Sequence, residues 1–175
     1  YNGNTITGSG FSAIGVSGII TTNGIWGNVD GLDFPYVVVG DIIINDGAIL
    51  TIPAGTVVKF EYVGSSGSVG SKKYKRRIIV NGILDTQGVE NNHVIFTSNR
   101  DDSVGGDSNG NGDATSPLAG DWGYIKINNG NNVLQYCTIK YGGTGYHVVN
   151  TSPWTNQRYE EYTIWVDNVI SAITI

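Results

Sequence analysis

The sequence is poor in charge, in cysteine and in long apolar runs, and each shortage excludes a class of protein. Charged residues make up 14 % of the 175 residues, and a net charge of −5 argues against a broad nucleic-acid-binding surface. The single cysteine, Cys137, allows neither an intramolecular disulfide nor a cysteine metal cluster, so we expect an inert core residue. No run approaches the roughly 18 apolar residues of a membrane helix, which predicts no transmembrane segment.

The motifs of several large enzyme classes are also missing. The sequence contains no Gly-x-Ser-x-Gly, no HExxH and no phosphate-binding glycine loop followed by Lys-Ser/Thr. Neither His93 nor His147 has a nucleophile that the pattern would pair with it. We therefore expect a protein that is not an enzyme.

Short strands and tight turns are abundant. Residues 41–60, DIIINDGAILTIPAGTVVKF, are typical of three β-branched strands separated by turns, and the pattern returns at 77–96, at 124–141 and partially at 163–175. A repeating unit of this kind is one coil of a solenoid, whose apolar face is buried only when neighbouring coils stack on it. The sequence predicts an all-β fold with about four stacked coils.

The repeat varies in length at one corner of the coil. Aligned on Ile43, Ile79, Ile125 and Ile164, the copies lie 36, 46 and 39 residues apart. The excess enters as three insertions, residues 61–77, 97–123 and 142–162. Because stacked coils place equivalent corners in register, these loops are expected to share one flank, which in repeat proteins is often the binding face. Asn45 and Asn81 occupy equivalent turn positions, where their amides are expected to form a ladder between coils.

The domain organisation follows from the same repeat. Residues 1–31, rich in Gly, Thr, Ser and Asn, are expected to form an N-terminal capping segment that covers the open end of the stack, and residues 32–175 the coils. The chain ends in the apolar residues 172–175 without a polar cap. This ending is expected of a fragment of a larger surface protein, or of an end that docks onto another subunit.

Phrases spread over residues 26–143 carry a resemblance to a known family. The order W…PYVV-x-GDIII-x-x-GAILTIPAGTVVKF…IIVNGILDTQG…HVIFTSNRDD…GDWGYI…LQYCTIKYGG resembles the right-handed parallel β-helix repeat regions of secreted and cell-surface bacterial and archaeal proteins. The resemblance implies that fold and an extracellular or cell-surface location. It does not imply one function, because the scaffold carries adhesins, surface-layer pieces, glycan-binding modules and polysaccharide lyases alike.

The first two loops carry opposite charges. Half of all Lys and Arg residues lie in the first loop, and the second holds five aspartates against one arginine. The basic residues that we predict to bind an anionic glycan are Lys72, Lys73 and Arg76. Two alternatives are mutual charge compensation between the neighbouring loops, which stabilises exposed pairs by only about 0–1 kcal/mol each, and pairing between subunits.

The second loop also matches the front of a calcium-binding loop. Residues 107–113 fit D-x-[DN]-x-[DN]-G-x, with oxygen ligands at alternate positions and a glycine for the sharp turn. The match is partial, because Leu118 stands where the bidentate Glu should be. We predict a loop-ordering Ca²⁺ site, and the alternative is a solvated turn series without metal. The ligands would be Asp101, Asp102, Asp107, Asn109, Asn111 and Asp113.

The third loop is rich in aromatic and amide side chains, which suit a sugar-binding surface because rings cover apolar C–H faces while polar groups meet hydroxyls. Its predicted ligand-binding residues are Tyr146, Trp154 and Tyr159. Alternatively, these aromatic residues pin the loop to the stack or contact another subunit.

These patterns predict a non-enzymatic, extracellular β-helix module, structural or adhesive, that binds a glycan or a surface protein through its loop-bearing flank. A second hypothesis is a subunit of a filament or sheath that self-associates through its coil ends. A third is a polysaccharide lyase, since lyases that resemble this chain combine acidic Ca²⁺ ligands with a basic Arg or Lys.

Overall fold

The computed structural model describes residues 12–29, 31–64, 75–143, 147–149, 158–160 and 163–166, with 147–149, 158–160, 165 and 166 described for their backbone alone. Apart from a short 3-10 turn at Gly112–Ala114, every regular element there is a β-strand. The strands are β1 (Ile14–Ile20), β2 (Gly24–Ile25), β3 (Tyr36–Ile44), β4 (Ile49–Pro53), β5 (Val57–Phe60), β6 (Ile78–Val80), β7 (Ile83–Gln87), β8 (Val94–Ser98), β9 (Ile125–Ile127), β10 (Val133–Gln135), β11 (Cys137–Ile139), β12 (His147–Val149), β13 (Arg158–Glu160) and β14 (Ile164–Val166). The predicted all-β fold is confirmed. No helix among the described residues is long and apolar enough to span a membrane.

Apart from β12 and β13, which pair with each other antiparallel, the strands form three stacks in which each strand pairs in parallel with equivalents from other repeats. The first stack holds the second halves of β1 and β3, then β6, β9 and β14. The second holds β2, β4, β7 and β10. The third holds the first halves of β1 and β3, then β5, β8 and β11. Since β1 and β3 pass through both, the first and third stacks form one curled sheet.

Side chains that point inward from the three stacks form one hydrophobic cluster. The paired register places like residues above one another, about 4.8 Å apart as in any sheet. Paired inward-facing residues form rows whose side chains are at most 1 % exposed. Examples are Ile42, Ile78 and Ile125 in the first stack, Leu50 and Leu84 in the second, and Val58 and Phe96 in the third. Gly47 and Gly55, both with φ of +79°, make the turns that lead into β4 and β5.

The register corrects one part of the predicted repeat. Ile43 does pair with Ile79, and Ile164 with Ile125, but Ile125 pairs with Ile78 rather than Ile79. The alignment of the second and third copies was wrong by one residue. A one-residue shift moves a side chain to the opposite face of a strand, so Ile125 is buried whereas Ile43 and Ile79 lie on the outer face.

Asparagine side chains join neighbouring repeats at the corner between the first and second stacks. Asn128 donates its amide to the side-chain oxygen of Asn81 at 2.9 Å, so a ladder of the predicted type exists, although between this pair. Asn132, 2 % exposed, accepts the backbone N–H of Leu84 at 2.7 Å. Such amides satisfy backbone groups where the strand ladder is interrupted.

Strands β1 and β2 lie within the segment that the sequence assigns to an N-terminal cap. Both continue the sheets formed by the later repeats, because β1 pairs with β3 and β2 with β4. Trp26, which follows β2, stacks on Tyr36 with ring centroids 5.3 Å apart, and the Tyr36 hydroxyl donates to the carbonyl of Gly27 at 2.8 Å. An aromatic pair therefore lies against the core at this end of the described chain.

Candidate functional site

Three long connections meet along one edge of the fold. Each leaves a strand of the third stack (β5, β8 or β11) and leads to a strand of the first stack (β6, β9 or β14). Since β5, β8 and β11 are neighbours, the three connections begin side by side. The bases of these loops, residues 61–64 and 75–77, 99–107 and 140–143, form what we call the loop-bearing flank.

Residues 101–107 of the second connection, here called the acidic strap, fold back over the outer face of the third stack. Lys59 and Thr97 are paired positions on β5 and β8, and Lys140 follows β11 next to Thr97. Asp101 contacts all three: its carbonyl accepts from Lys59 at 2.9 Å, and its carboxylate accepts from Thr97 at 2.7 Å and pairs with Lys140 at 3.3 Å. The strap therefore leaves Lys59 and Thr97 with no exposed surface.

Adjacent aspartates in the strap have opposite ionisation behaviour. Burial disfavours the Asp101 carboxylate, but hydrogen bonds from Ser103 and Thr97 and the charge of Lys140 outweigh burial and lower its pKa. Burial raises the pKa of Asp102, and repulsion from Asp107 adds to the rise. Oδ1 of Asp102 is buried without a hydrogen-bond partner among the described residues.

This contrast predicts opposite effects of two neighbouring substitutions. A carboxylate with a lowered folded pKa stabilises the fold above its unfolded pKa of about 3.9, and this contribution is lost as pH falls through the folded pKa. Asp101→Asn should therefore lower the free energy of unfolding by about 2 kcal/mol at pH 7. The difference in this free energy between the variant and the wild type should shrink below about pH 4. Asp102→Asn should leave stability equal or higher at pH 7. Urea unfolding between pH 3 and 7 measures both, and equal losses for the two variants would contradict the assignment.

The predicted calcium ligands do not converge. No three His, Cys, Asp or Glu side chains are placed to share a metal ion within the described ranges. Asp101 is occupied by Thr97, Ser103 and Lys140, and Asp107 accepts the backbone N–H groups of Gly110, Asn111 and Gly112, which lower its pKa.

The remaining members of that set serve the turn itself. The Asn109 side chain accepts from the backbone of Asn111, whose amide donates to Thr115, and Asp113 lies in the 3-10 turn. Of the four aspartates in the predicted calcium site, Asp102 and Asp113 have no described hydrogen bond from the protein to their carboxylates. The calcium site stays a prediction, with these two as its remaining carboxylates.

Most of the predicted glycan-binding residues lie outside the described part of the chain. Lys72, Lys73, Tyr146 and Trp154 are outside the described residues, and Tyr159 lies in β13, which pairs with β12 as an antiparallel hairpin described for its backbone. Arg76 lies on the loop-bearing flank, where its guanidinium donates to Glu61 through Nε and Nη2.

Charge compensation between the basic and acidic loops is not what the described side chains show. Arg76 pairs with Glu61 in its own loop, and Arg77 pairs with Asp41 on β3 at 2.8 Å. The second loop balances its own Asp121 with Arg100, and Asp101 with Lys140 from the third. None of these pairs joins the first loop to the second. They lie within a loop, between Arg77 and the neighbouring strand β3, or between the second and third loops.

A cluster that the sequence reasoning missed lies at the bases of the first two loops. Arg100 and Lys75 both lie over the ring of Tyr62, with the guanidinium carbon and the ammonium nitrogen 4.6 and 4.8 Å from its centroid. The backbone N–H of Tyr62 donates to Asn99 at 2.9 Å, which ties the two loop bases together. The sequence gives only a weak signal for this cluster. Tyr62 lies two positions after Phe60, Arg100 lies two positions after Ser98, and Phe60 and Ser98 are paired residues of β5 and β8.

The described histidine and cysteine side chains contact neighbouring parts of the fold. His93 contacts the Thr138 hydroxyl at 2.9 Å and the carbonyl of Glu90 at 3.2 Å, both structural partners. Cys137 packs against the hydrophobic cluster, as expected, and burial raises the pKa of its thiol.

Comparisons of the chain with protein-family models, with curated proteins and with solved structures found no match.

Proposed function

We propose that this chain is a right-handed parallel β-helix, extracellular and non-enzymatic, that binds an anionic glycan through its loop-bearing flank. The fold proposal is supported by the three parallel stacks, which the chain visits in a constant order. The three long connections all enter at the corner between the third and first stacks. An extracellular location is what the resemblance to surface β-helix repeats implies, and adhesins and glycan-binding modules are among the functions that this scaffold carries.

The observation that carries the binding proposal is the cationic cluster around Tyr62. Lys75 and Arg100 come from two different loops and both lie over the Tyr62 ring, and Asn99 joins the bases of these loops. Arg76 follows Lys75 and pairs with Glu61, which precedes Tyr62, while Arg100 also pairs with Asp121. Lys75 has no carboxylate partner among the described residues, since its described contact is the ring. Guanidinium groups bind carboxylate and sulfate in a fixed two-pronged geometry, so an acidic sugar chain is the ligand this cluster favours.

The acids of the flank do not neutralise the cluster completely. Arg76 and Glu61 have side-chain exposures of 26 % and 36 %, and such exposed pairs are weak, about 0–1 kcal/mol. A polyanion that approaches can therefore replace Glu61 as the partner of Arg76 at little cost. Glu61 then favours ligands of high charge density over neutral ones.

Point variants in a binding assay test this proposal. We expect Lys75→Ala and Arg76→Ala each to weaken binding to immobilised polygalacturonate or chondroitin sulfate about five- to tenfold, the loss of roughly one charge-assisted contact. Glu61→Gln should strengthen binding. Lys126→Ala removes the same charge from the outer face of β9 and is the matched control.

Equal losses for Lys126→Ala and Lys75→Ala would show non-specific attraction and contradict the site. Binding of a surface protein with the same variant profile, and of no acidic glycan, would assign the flank to a protein partner.

End-to-end assembly is a second candidate, favoured by the composition of the edge strands. The described edge strands are β1 and β2 at one end and β10, β11 and β14 at the other. They contain no charged residue and no proline, which are the residues that usually protect an edge strand against pairing with another chain. Ile19 and Ile25 are 61 % and 71 % exposed at the first of these ends. Assembly predicts sedimentation coefficients that rise with concentration, whereas the binding module alone predicts a constant monomeric value.

Two basic side chains of the described residues are not available to a polysaccharide lyase mechanism. A lyase needs a basic side chain held rigidly and open to the substrate. Arg77 is engaged by Asp41 and by the hydroxyl of Tyr124, and Lys59 is fully buried.

A further inference from the structure

A lysine is buried on the side of a strand that normally faces solvent. Lys59 alternates with the inward-facing Val58 and Phe60, so its side chain leaves the outer face of β5, yet it has no exposed surface. Its ammonium donates to the backbone carbonyls of Asp101, at 2.9 Å, and Gly106. A fully buried ammonium is rare in proteins unless other groups compensate its charge.

The strap closes tightly around this side chain. Gly105 has a φ of +63°, and a Cβ built on it would lie 3.3 Å from Cε of Lys59 and 3.1 Å from Cβ of Pro35. Asp101, Asp102 and Asp107 all act electrostatically on the ammonium. Burial lowers the pKa of Lys59, and the three carboxylates oppose that shift.

We propose that the acidic strap is a cation site whose resident cation is the ammonium of Lys59. Backbone carbonyls and carboxylates are the groups that bind cations in proteins. Here two backbone carbonyls accept hydrogen bonds from a nitrogen of the chain itself, and the charges of Asp101, Asp102 and Asp107 act on that nitrogen. The class of ligand is a primary ammonium, which has three N–H donors. Two of them meet the carbonyls of Asp101 and Gly106, and the third remains for an acceptor among the nearby carboxylates. Without the Lys59 side chain, the site should accept a small free alkylammonium.

The chemistry of the strap suits an ammonium better than a divalent metal at this position. Ca²⁺ takes six to eight oxygen ligands, whereas the oxygens of Asp101 and Asp107 already accept hydrogen bonds from Ser103, Thr97, Lys140 and backbone N–H groups. An ammonium needs only two or three acceptors and leaves those bonds in place.

The site also gives Lys59 a positioning role for the proposed binding surface. Arg100 directly precedes Asp101, whose carbonyl Lys59 holds, so fixing Asp101 limits where the Arg100 guanidinium can lie over Tyr62. This consequence rests on the proposed glycan function, whereas the cation site itself does not.

Hydrogen exchange with chemical rescue tests the site. We expect Lys59→Ala to accelerate amide exchange in residues 99–108 about tenfold or more, and n-propylammonium to restore protection saturably. Tetramethylammonium at equal concentration has the charge but no N–H donor and should not restore it. Lys59→Met fills the space without charge, and it should stay unprotected whether or not amine is present.

Three results would overturn the proposal: wild-type protection in Lys59→Met, equal rescue by the two ammonium ions, or no rescue of a folded Lys59→Ala.

If Lys59→Ala does not fold, acylation of the wild-type protein decides. Lys59 should react with N-hydroxysuccinimide acetate at least about tenfold more slowly than Lys75, since its amine is buried, and similar rates would refute a filled site. These readouts require no glycan, so a failure of the proposed function stays distinguishable from a failure of the site.

Discussion

Trp122→Ala is expected to destabilise the protein by about 3–5 kcal/mol, the range for removing a buried tryptophan. The Trp122 side chain is fully buried, its ring stacks on Phe60 with centroids 4.0 Å apart and 5° between planes, and its Nε1–H donates to the carbonyl of Lys140 at 2.8 Å. Phe60 pairs in register with Ser98, a small residue. The tryptophan of the second connection therefore packs on the side chain that pairs with this small residue.

Urea unfolding followed by circular dichroism measures this effect, with Trp122→Phe as the control. Phenylalanine keeps an aromatic ring on Phe60 and loses the Nε1 hydrogen bond, so we expect it to cost about 1–2 kcal/mol. A loss under about 1 kcal/mol for Trp122→Ala would mean that this ring does not seal the corner of the core.

Gly82→Ala should lower the free energy of unfolding by about 3 kcal/mol or more, although it adds a single methyl group. A Cβ built on Gly82 would lie 2.2 Å from the carbonyl oxygen of Asn45 and 2.3 Å from that of Ala48. Both atoms belong to the backbone of the neighbouring repeat, so no side-chain rotation relieves the overlap. The turn that contains Gly82 would have to move away from the turn on which it stacks.

Gly24→Ala is the matched control for this prediction. Gly24 lies in β2, and a Cβ there meets no atom within 4 Å, so its replacement should change stability by less than about 0.5 kcal/mol. Differential scanning calorimetry on both variants gives the comparison. Similar melting temperatures for the two variants would contradict the close contact between the turns of neighbouring repeats at this corner.

The strands and their grouping could be predicted from the sequence because both depend on local pattern. Val and Ile alternate with polar residues, glycines mark turns, and the repeat places insertions at one corner; the three long connections leave and enter the strands that this pattern indicates. The register is harder to predict. Ile78 and Ile79 are adjacent and identical, so the pattern could not show which of them faces Ile125 and the core.

The candidate site depended on contacts between residues far apart in sequence, which a repeat pattern does not reveal. Lys59 lies in an ordinary strand, and only the return of residues 101–107 across β5 shows that it is buried. Likewise, Tyr62 and Arg100 are 38 positions apart and meet because β5 and β8 pair. The calcium pattern was visible, but hydrogen bonds within the turn occupy Asp107, which the spacing of residues alone could not foretell.

Binding of the wild-type protein to a panel of acidic and neutral polysaccharides tests the proposed function most directly. Biolayer interferometry on polygalacturonate, alginate, chondroitin sulfate and dextran, at two salt concentrations, would suffice. We expect saturable binding to at least one acidic chain, weaker at high salt because exposed charges are screened, and none to dextran. Equal binding to dextran, or no binding to any acidic chain at low salt, would contradict an anionic-glycan site on the loop-bearing flank.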